Sequence, residues 1–520
     1  MYLDNSIKQD YESDKERVHS FEEIKRLYEI MPKTKYHLDD QSFEDMDIKR
    51  VYEKIDKSYS SPGEAALYSL LRNISINEAT LSKRGKIINY LQENISKRTK
   101  LHSIFYNLGF DNKNTLLNML QQEIKVNKSK SYIYMFLGQI LPIILILMGI
   151  YLRNPKFIIA LAGILMFNAV GINAYEAKNI NNNGLYYLKR VFTAAKEVTN
   201  IGSPELKGYT NTIKENLNAL KAIDRAVAFL SLSNILGGLF ETLSMPLLLS
   251  ETVYYKISAT LEKDKDVIFE LYYLLGEIEA LISIASYKDN LQEPYCSPVF
   301  TKEVTLDIKE GYHPLVDNPI KNSINIDKHG IILTGTNMSG KSTFLRMLGI
   351  NIIFAQVFNF ALAKSYKASL FNVVSSISPN DDVTVGKSYY MAEAESLLRI
   401  IKATEAPIPV FCAIDEIFRG TNPIERIASS AEILKYINSK NALCIVATHD
   451  RELTDILKNN YDFYYFSEAV DNSSGLSFDY KLKPGVSQSR NAIKLLDYLG
   501  YPKEIINASY NRARSIEGFI

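Results

Sequence analysis

The sequence predicts two halves of different class, an all-helical half followed by an α/β half with a mostly parallel sheet. Three observations predict this. Over roughly the first 290 residues apolar side chains recur at three- and four-residue spacing between charged ones, the period of amphipathic helices. After about residue 300 short apolar runs alternate with helical segments, as strands buried on both faces do. Between residues 132 and 172 lies an oily stretch whose only full charges are Arg153 and Lys156.

The chain has 520 residues, 46% hydrophobic and 23% charged, which is material for two or three packed domains and excludes a disordered chain. Lys and Arg total 60 against 59 for Asp and Glu, so the net charge of +1 creates no global field for nucleic acid or anionic lipid. Any such contact needs a local patch. Cys296, Cys412 and Cys444 form no CxxC pair, which points away from a zinc site or a disulfide framework and towards a reducing compartment. The opening MYLDNSIKQDYESDKER is acidic and polar where an export signal is basic and then apolar.

In chain order, residues 1–35 read as a polar helical segment and 36–131 as the first helical part, with SPGEAALYSLLRN from Ser61 as its clearest amphipathic run. Residues 132–172 read as a transmembrane hairpin. The uncharged run 132–152 matches the roughly 20 residues a membrane helix needs. The shorter run 157–172 is workable if Arg153 and Lys156 snorkel from the turn Arg153-Asn154-Pro155-Lys156. Neither run keeps the polar face of a soluble hairpin, and Pro142 is expected to strain the first. Residues 173–300 form the second helical part, with LEKDKDVIFELYYLLGEIEALISIASYKD (261–289) as a long helix. Within it, the run 226–250 carries Glu241, breaks at Pro246 and reads as a core or interfacial helix. Residues 301–520 form the α/β domain.

The chemistry lies in that last domain. GTNMSGKS (335–342) fits G-x-x-x-x-G-K-[ST] between the strand-like IILTG and a helix, the context in which backbone N–H groups cradle phosphates. Gly335, Thr336, Asn337, Met338, Ser339, Gly340 and Thr343 are thus expected around a nucleotide. Lys341 would reach the β- and γ-phosphates, and Ser342 would bind Mg2+. The run VFCAIDE delivers Asp415 for a Mg2+ contact and Glu416 for the attacking water. A third apolar run ends in Thr448-His449-Asp450; His449 is expected to sense the γ-phosphate if it stands beside the other two strand ends.

Together with NDDVTVGKSYYMAEAE (380–395), DEIFRGTNP (415–423) and ATHDRELT (447–454), these residues resemble the ATPase domain of the MutS mismatch-repair family, in the family's order and spacing. LLGEIEALISIA followed by EGYHPLV (310–316) is similar to the family's lever helix and the segment entering its ATPase domain. YKLKPGVSQSRNAIKLLDYLGYPKEIINAS (480–509) looks like its C-terminal signature. The resemblance is strong over about 270–510 and weaker over about 40–130. It implies a helical lever and core (36–131 and 173–300) followed by a P-loop, ABC-type ATPase domain (301–520). It also implies ATP and Mg2+ as cofactors, and a homodimer with composite sites in which Ser388 reaches the partner's nucleotide. DNA is the implied partner.

Two departures qualify this expectation. Phe418 stands where the family's DEIGRGT has glycine, and Phe21-Glu22-Glu23, which matches the letters of the family's base wedge, reads as a solvated helix start. Mismatch recognition in the standard form is therefore not expected, and with Ile520 following soon after the C-terminal signature neither is an appended nuclease domain. What is expected is a membrane-hairpin member of the family, coupling ATP to DNA at the cytoplasmic face of the membrane. The alternatives are a membrane-tethered mechanical ATPase acting on a non-DNA partner and, if the hairpin is buried, a soluble cytoplasmic protein.

Overall fold

The computed structural model describes residues 18–176, 182–228, 244–327, 329–336, 338–377, 389–418, 422–471, 475–486 and 492–515. Of the apolar run 226–250, residues 229–243 lie outside them. The chain divides into two compact units, one taking the residues up to Lys33 with Ile55–Leu70 and Lys86–Asn290, the other Thr34–Lys54, Leu71–Gly85 and the chain from Leu291 onward. The segment 36–131 is therefore shared between them.

The first unit is helical throughout its described residues. Its spine is the helix Leu249–Asp289, 41 residues long. A Cβ at Gly276 would fall 2.0 Å from the Pro62 carbonyl oxygen, so spine and neighbouring helix approach more closely than a side chain permits. One turn on, the buried Glu279 accepts the Tyr59 N–H at 2.6 Å and the Ser60 hydroxyl. Burial pushes this carboxyl up to about 8. Phe21-Glu22-Glu23 opens the short helix Phe21–Ile24 with both glutamates exposed.

The oily stretch forms two helical spans, Lys128–Leu152 and Lys156–Glu176, of 25 and 21 residues, each long and apolar enough to cross a membrane. Of the most apolar 18 residues in each, only 17% and 6% are buried, so neither is a core helix of the described unit. Arg153, at φ 50, ends the first helix, and the Asn154 side chain accepts the Lys156 N–H at 3.0 Å. Pro142 lies inside the first span, directly after the π-turn Phe136–Ile140. The second span has its own π-turn at Phe167–Ile172, and the buried Asn168 within it donates to the Leu137 carbonyl at 3.0 Å and the Pro246 carbonyl at 2.9 Å. At the foot, the buried Glu176 carboxylate meets Lys130 Nζ and the Tyr255 hydroxyl, both at 2.6 Å, and the Tyr134 hydroxyl. One carboxylate thus joins both spans to the spine.

The described strands of the second unit are β1 (Val299–Thr301), β2 (Leu306–Gly311), β3 (Asn322–Ile326), β4 (Gly330–Thr334), β5 (Ser365–Ser369), β6 (Asn372–Ser376), β7 (Val410–Asp415), β8 (Ala442–Ala447), β9 (Tyr461–Asp471) and β10 (Gly475–Pro484). They form a four-stranded sheet, β1-β5-β2-β3, and a six-stranded sheet, β10-β9-β4-β8-β7-β6. In the larger sheet every pairing is parallel except β9 with β10. β4 and β7 are buried along their whole length, the continuous apolar run of a sheet covered on both faces.

The edge strand β6 explains why residues 34–54 belong to this unit. Ser42 Oγ, in the helix Asp40–Asp45, accepts the Ser375 N–H at 3.1 Å, and the Asp45 carboxylate takes the Ser375 hydroxyl at 2.8 Å and the Ile377 N–H at 3.0 Å. Side chains from early in the sequence thus occupy the edge that a further strand would otherwise pair.

Candidate functional site

Parallel register sets the site. Leu333 of β4 lies abreast of Ala447 of β8, and Ala447 abreast of Asp415 of β7, so three strands end side by side. From that edge rise the loop 335–340, the pair Asp415-Glu416 and the pair Thr448-His449. Ligands of open parallel sheets bind at such carboxyl ends.

The loop turns tightly through left-handed backbone at Gly335 (φ 140), Met338 (φ 67) and Gly340 (φ 105). A Cβ at Gly335 would come within 2.8 Å of the Phe466 carbonyl oxygen, so glycine is required there for space as well as for conformation. Ser339 is buried, and among the described residues its hydroxyl has no hydrogen-bond partner. Lys341 opens the helix Lys341–Phe358. Its ammonium folds back over the loop, donating to the Gly335 and Thr336 carbonyls at 2.9 Å each and lying 3.4 Å from His449 Nε2. This is a cationic, glycine-lined cup at a helix N-terminus, suited to an anion.

Beside the cup, Ser342 donates its hydroxyl to the Asp415 carboxylate. Glu416 leaves β7 with φ 65, keeps a backbone bond to the Ala447 carbonyl at 2.8 Å and brings its carboxylate to 3.0 Å from His449 Nε2. His449 therefore stands beside both other strand ends, the condition its expected role required. Asp450 is held by Arg426, whose Nε reaches Oδ2 at 3.0 Å, and its own N–H bonds the Thr448 hydroxyl at 3.0 Å. The structure brings together Gly335, Thr336, Met338, Ser339, Gly340, Lys341, Ser342, Asp415, Glu416 and His449. Thr343 follows in the first helical turn. Asn337 and Ser388 lie outside the described residues.

An adjoining cavity of about 440 Å³ was not foreseen from the residues. Its walls include Tyr312, His313, Ile320, Thr343, Phe344 and Tyr480, drawn from segments far apart in sequence. Tyr480 sits at a β-bulge of β10 with φ 53, beside Gly340, where an added Cβ would lie 3.2 Å from its ring. Asn322 clamps that bulge, donating to the Tyr480 carbonyl at 3.0 Å and accepting the Leu482 N–H at 2.8 Å. Burial pushes His313 down to about 4, so its imidazole is neutral, and Nδ1 accepts the Leu315 N–H at 3.2 Å. The signal in the sequence was indirect: EGYHPLV and YKLKPG stood out as motifs, and nothing local said that they meet.

Residues 331–517 match the family model of MutS domain V. Over these residues the chain is similar to the MutS family. Among its relatives, the DNA mismatch repair protein MutS of Thermotoga maritima is 28% identical over 271 residues, 50% of this chain and 33% of the relative. That of Pseudothermotoga lettingae is 30% identical over 275 residues, 51% of this chain and 33% of the relative. That of Thermus thermophilus is 27% identical over 275 residues, 51% of this chain and 32% of the relative. The match thus spans about a third of the length of these relatives. The MutS domain V match starts within β4 and covers the loop, Asp415, Glu416 and His449, whereas the hairpin lies before it.

Proposed function

We propose that the second unit is a Mg2+-dependent ATPase and that the protein works as a homodimer coupling ATP turnover to DNA. One observation carries the reading: the Lys341 cup, the Ser342–Asp415 pair and the Glu416–His449 pair meet at adjoining parallel strand ends. MutS domain V is the ATPase domain of its family, which supports the same reading.

The residues fit the cofactors. Ser342 and Asp415 offer the hard oxygen ligands that Mg2+ takes, already within a hydrogen bond of each other. Bound there, the ion would draw charge from the phosphate oxygens. Lys341 would exchange two loop carbonyls for phosphate oxygens, and the buried Ser339 hydroxyl would gain a partner inside the loop. Glu416, oriented by His449, would orient the attacking water and take its proton. The cavity beside Gly340 has apolar walls and a tyrosine at its rim for a nucleobase to stack on.

Glu416→Gln should retain nucleotide binding while turnover falls at least about 100-fold. Unchanged turnover would remove Glu416 from the reaction. The composite dimer site, with Ser388 facing the partner's nucleotide, rests on the resemblance alone; sedimentation as a monomer with and without ATP would reject it. DNA coupling is tested by binding at two salt concentrations, with and without ATP.

A second reading is favoured by the largely unburied hairpin: a membrane-tethered ATPase at the cytoplasmic face, acting on a partner other than DNA. Both spans suit a bilayer by length, and the turn places Arg153 and Lys156 together at one end.

A further inference from the structure

Phe418 combines three properties that rarely coincide. Its backbone is left-handed, φ 57, a conformation glycine adopts freely and an aromatic residue adopts only when its surroundings hold it there. Its side chain is 7% exposed, inside the core cluster with Ile417, Leu397, Ile400 and Leu453. Its ring lies 5.3 Å from that of Tyr390, tilted by 46°, and Tyr390 belongs to the first turn of the helix Tyr389–Ala403. Two residues earlier stands Glu416, itself left-handed at φ 65, with its carboxylate 3.0 Å from His449.

The chain therefore leaves β7 through Asp415, turns left-handed at Glu416, buries Ile417 and turns left-handed again at Phe418. Both ends of this turn are pinned. The Glu416 N–H is held on the Ala447 carbonyl, and the Phe418 ring is held in the core against Tyr390. A glycine at position 418 would accept the same backbone but would place no ring in the core to anchor that end of the turn.

We propose that Phe418 is a positioning residue for the reaction read above. Its buried ring fixes the turn that aims the Glu416 carboxylate, and its packing on Tyr390 links that carboxylate to the start of the helix Tyr389–Ala403. The inference rests on the ATPase reading. It deepens that reading by making the aim of Glu416 depend on an aromatic pair outside the nucleotide cup.

The test is steady-state ATP hydrolysis by the full-length protein, with thermal unfolding measured on every variant. Phe418→Gly should lower kcat about tenfold with KM for ATP unchanged, because the cup formed by Gly335–Ser342 is untouched. Phe418→Leu, which restores an apolar side chain, should regain most of the loss. Tyr390→Ala should lower kcat in the same direction, and adding it to Phe418→Gly should cost little more than Phe418→Gly alone. Full kcat in Phe418→Gly overturns the proposal. So does a loss in which kcat and KM move together, or one that Phe418→Leu fails to recover while both variants melt like the parent. If the parent protein itself does not hydrolyse ATP, or Glu416→Gln is as active as the parent, the ATPase reading fails first and takes this inference with it.

Discussion

Left-handed backbone gathers at the site: Met338, Glu416 and Phe418 all carry positive φ without being glycine. Each costs on the order of 1–3 kcal/mol unless neighbours fix it, and strain of this kind persists where geometry matters more than stability. A different residue governs how the first unit responds to pH. Glu279, buried on the spine, has its carboxyl raised from 4.5 to about 8 by desolvation. Between those values the folded chain holds a proton that the unfolded chain has released, so stability falls as pH rises from about 4.5 to about 8 and is fully present below that window. Glu279→Gln keeps the shape without the ionisation and should flatten that decline. Urea unfolding midpoints measured across the window check it; equal slopes for parent and variant would show that Glu279 is not the group responsible.

Among elements, the edge of β6 and the foot of the hairpin show side chains doing what backbone pairing does elsewhere. Asp45 accepts both the Ser375 hydroxyl and the Ile377 N–H, and it is buried. Removing it strands two buried donors at a strand edge, so Asp45→Ala should cost about 2–4 kcal/mol. Chemical denaturation reads this directly, and a change below about 0.5 kcal/mol, the size of an ordinary surface substitution, would contradict the pairing. In the hairpin, the two π-turns displace backbone carbonyls that would otherwise be bonded within the helix, and Asn168 collects one of them together with the Pro246 carbonyl. Hydropathy revealed these helices as apolar cylinders. It could not reveal the π-turns, because what stabilises them comes from other segments of the chain.

For the whole molecule, the membrane reading has a concrete outcome. Spans of 25 and 21 residues that are long, apolar and largely unburied should resist extraction by an alkaline wash. If the hairpin spans a bilayer, a cysteine introduced by Asn154→Cys should be labelled from the side opposite the proposed nucleotide site. Recovery of the protein in the soluble fraction would instead require another cover for Ile143, Ile150, Ile158, Ile159 and their exposed neighbours. By itself the sequence determined whatever is local. The strand–loop–helix around GTNMSGKS was legible because its glycines sit where the backbone turns left-handed, and β4, β7 and β8 were legible as apolar runs closing on polar residues. The helical character of the described residues up to about 290 and the length of the two spans were legible from period and composition. Only the tertiary structure decided what depends on segments meeting. The order β4-β8-β7 brings Asp415, Glu416 and His449 to the Lys341 cup. Tyr480 and His313 enclose one cavity across more than half of the second unit's sequence. Asp45 closes a strand edge 330 residues away. Turn and helix preferences act over a few residues and leave a mark in a single sequence, whereas strand order and edge closure depend on complementarity between distant segments, which no local pattern records.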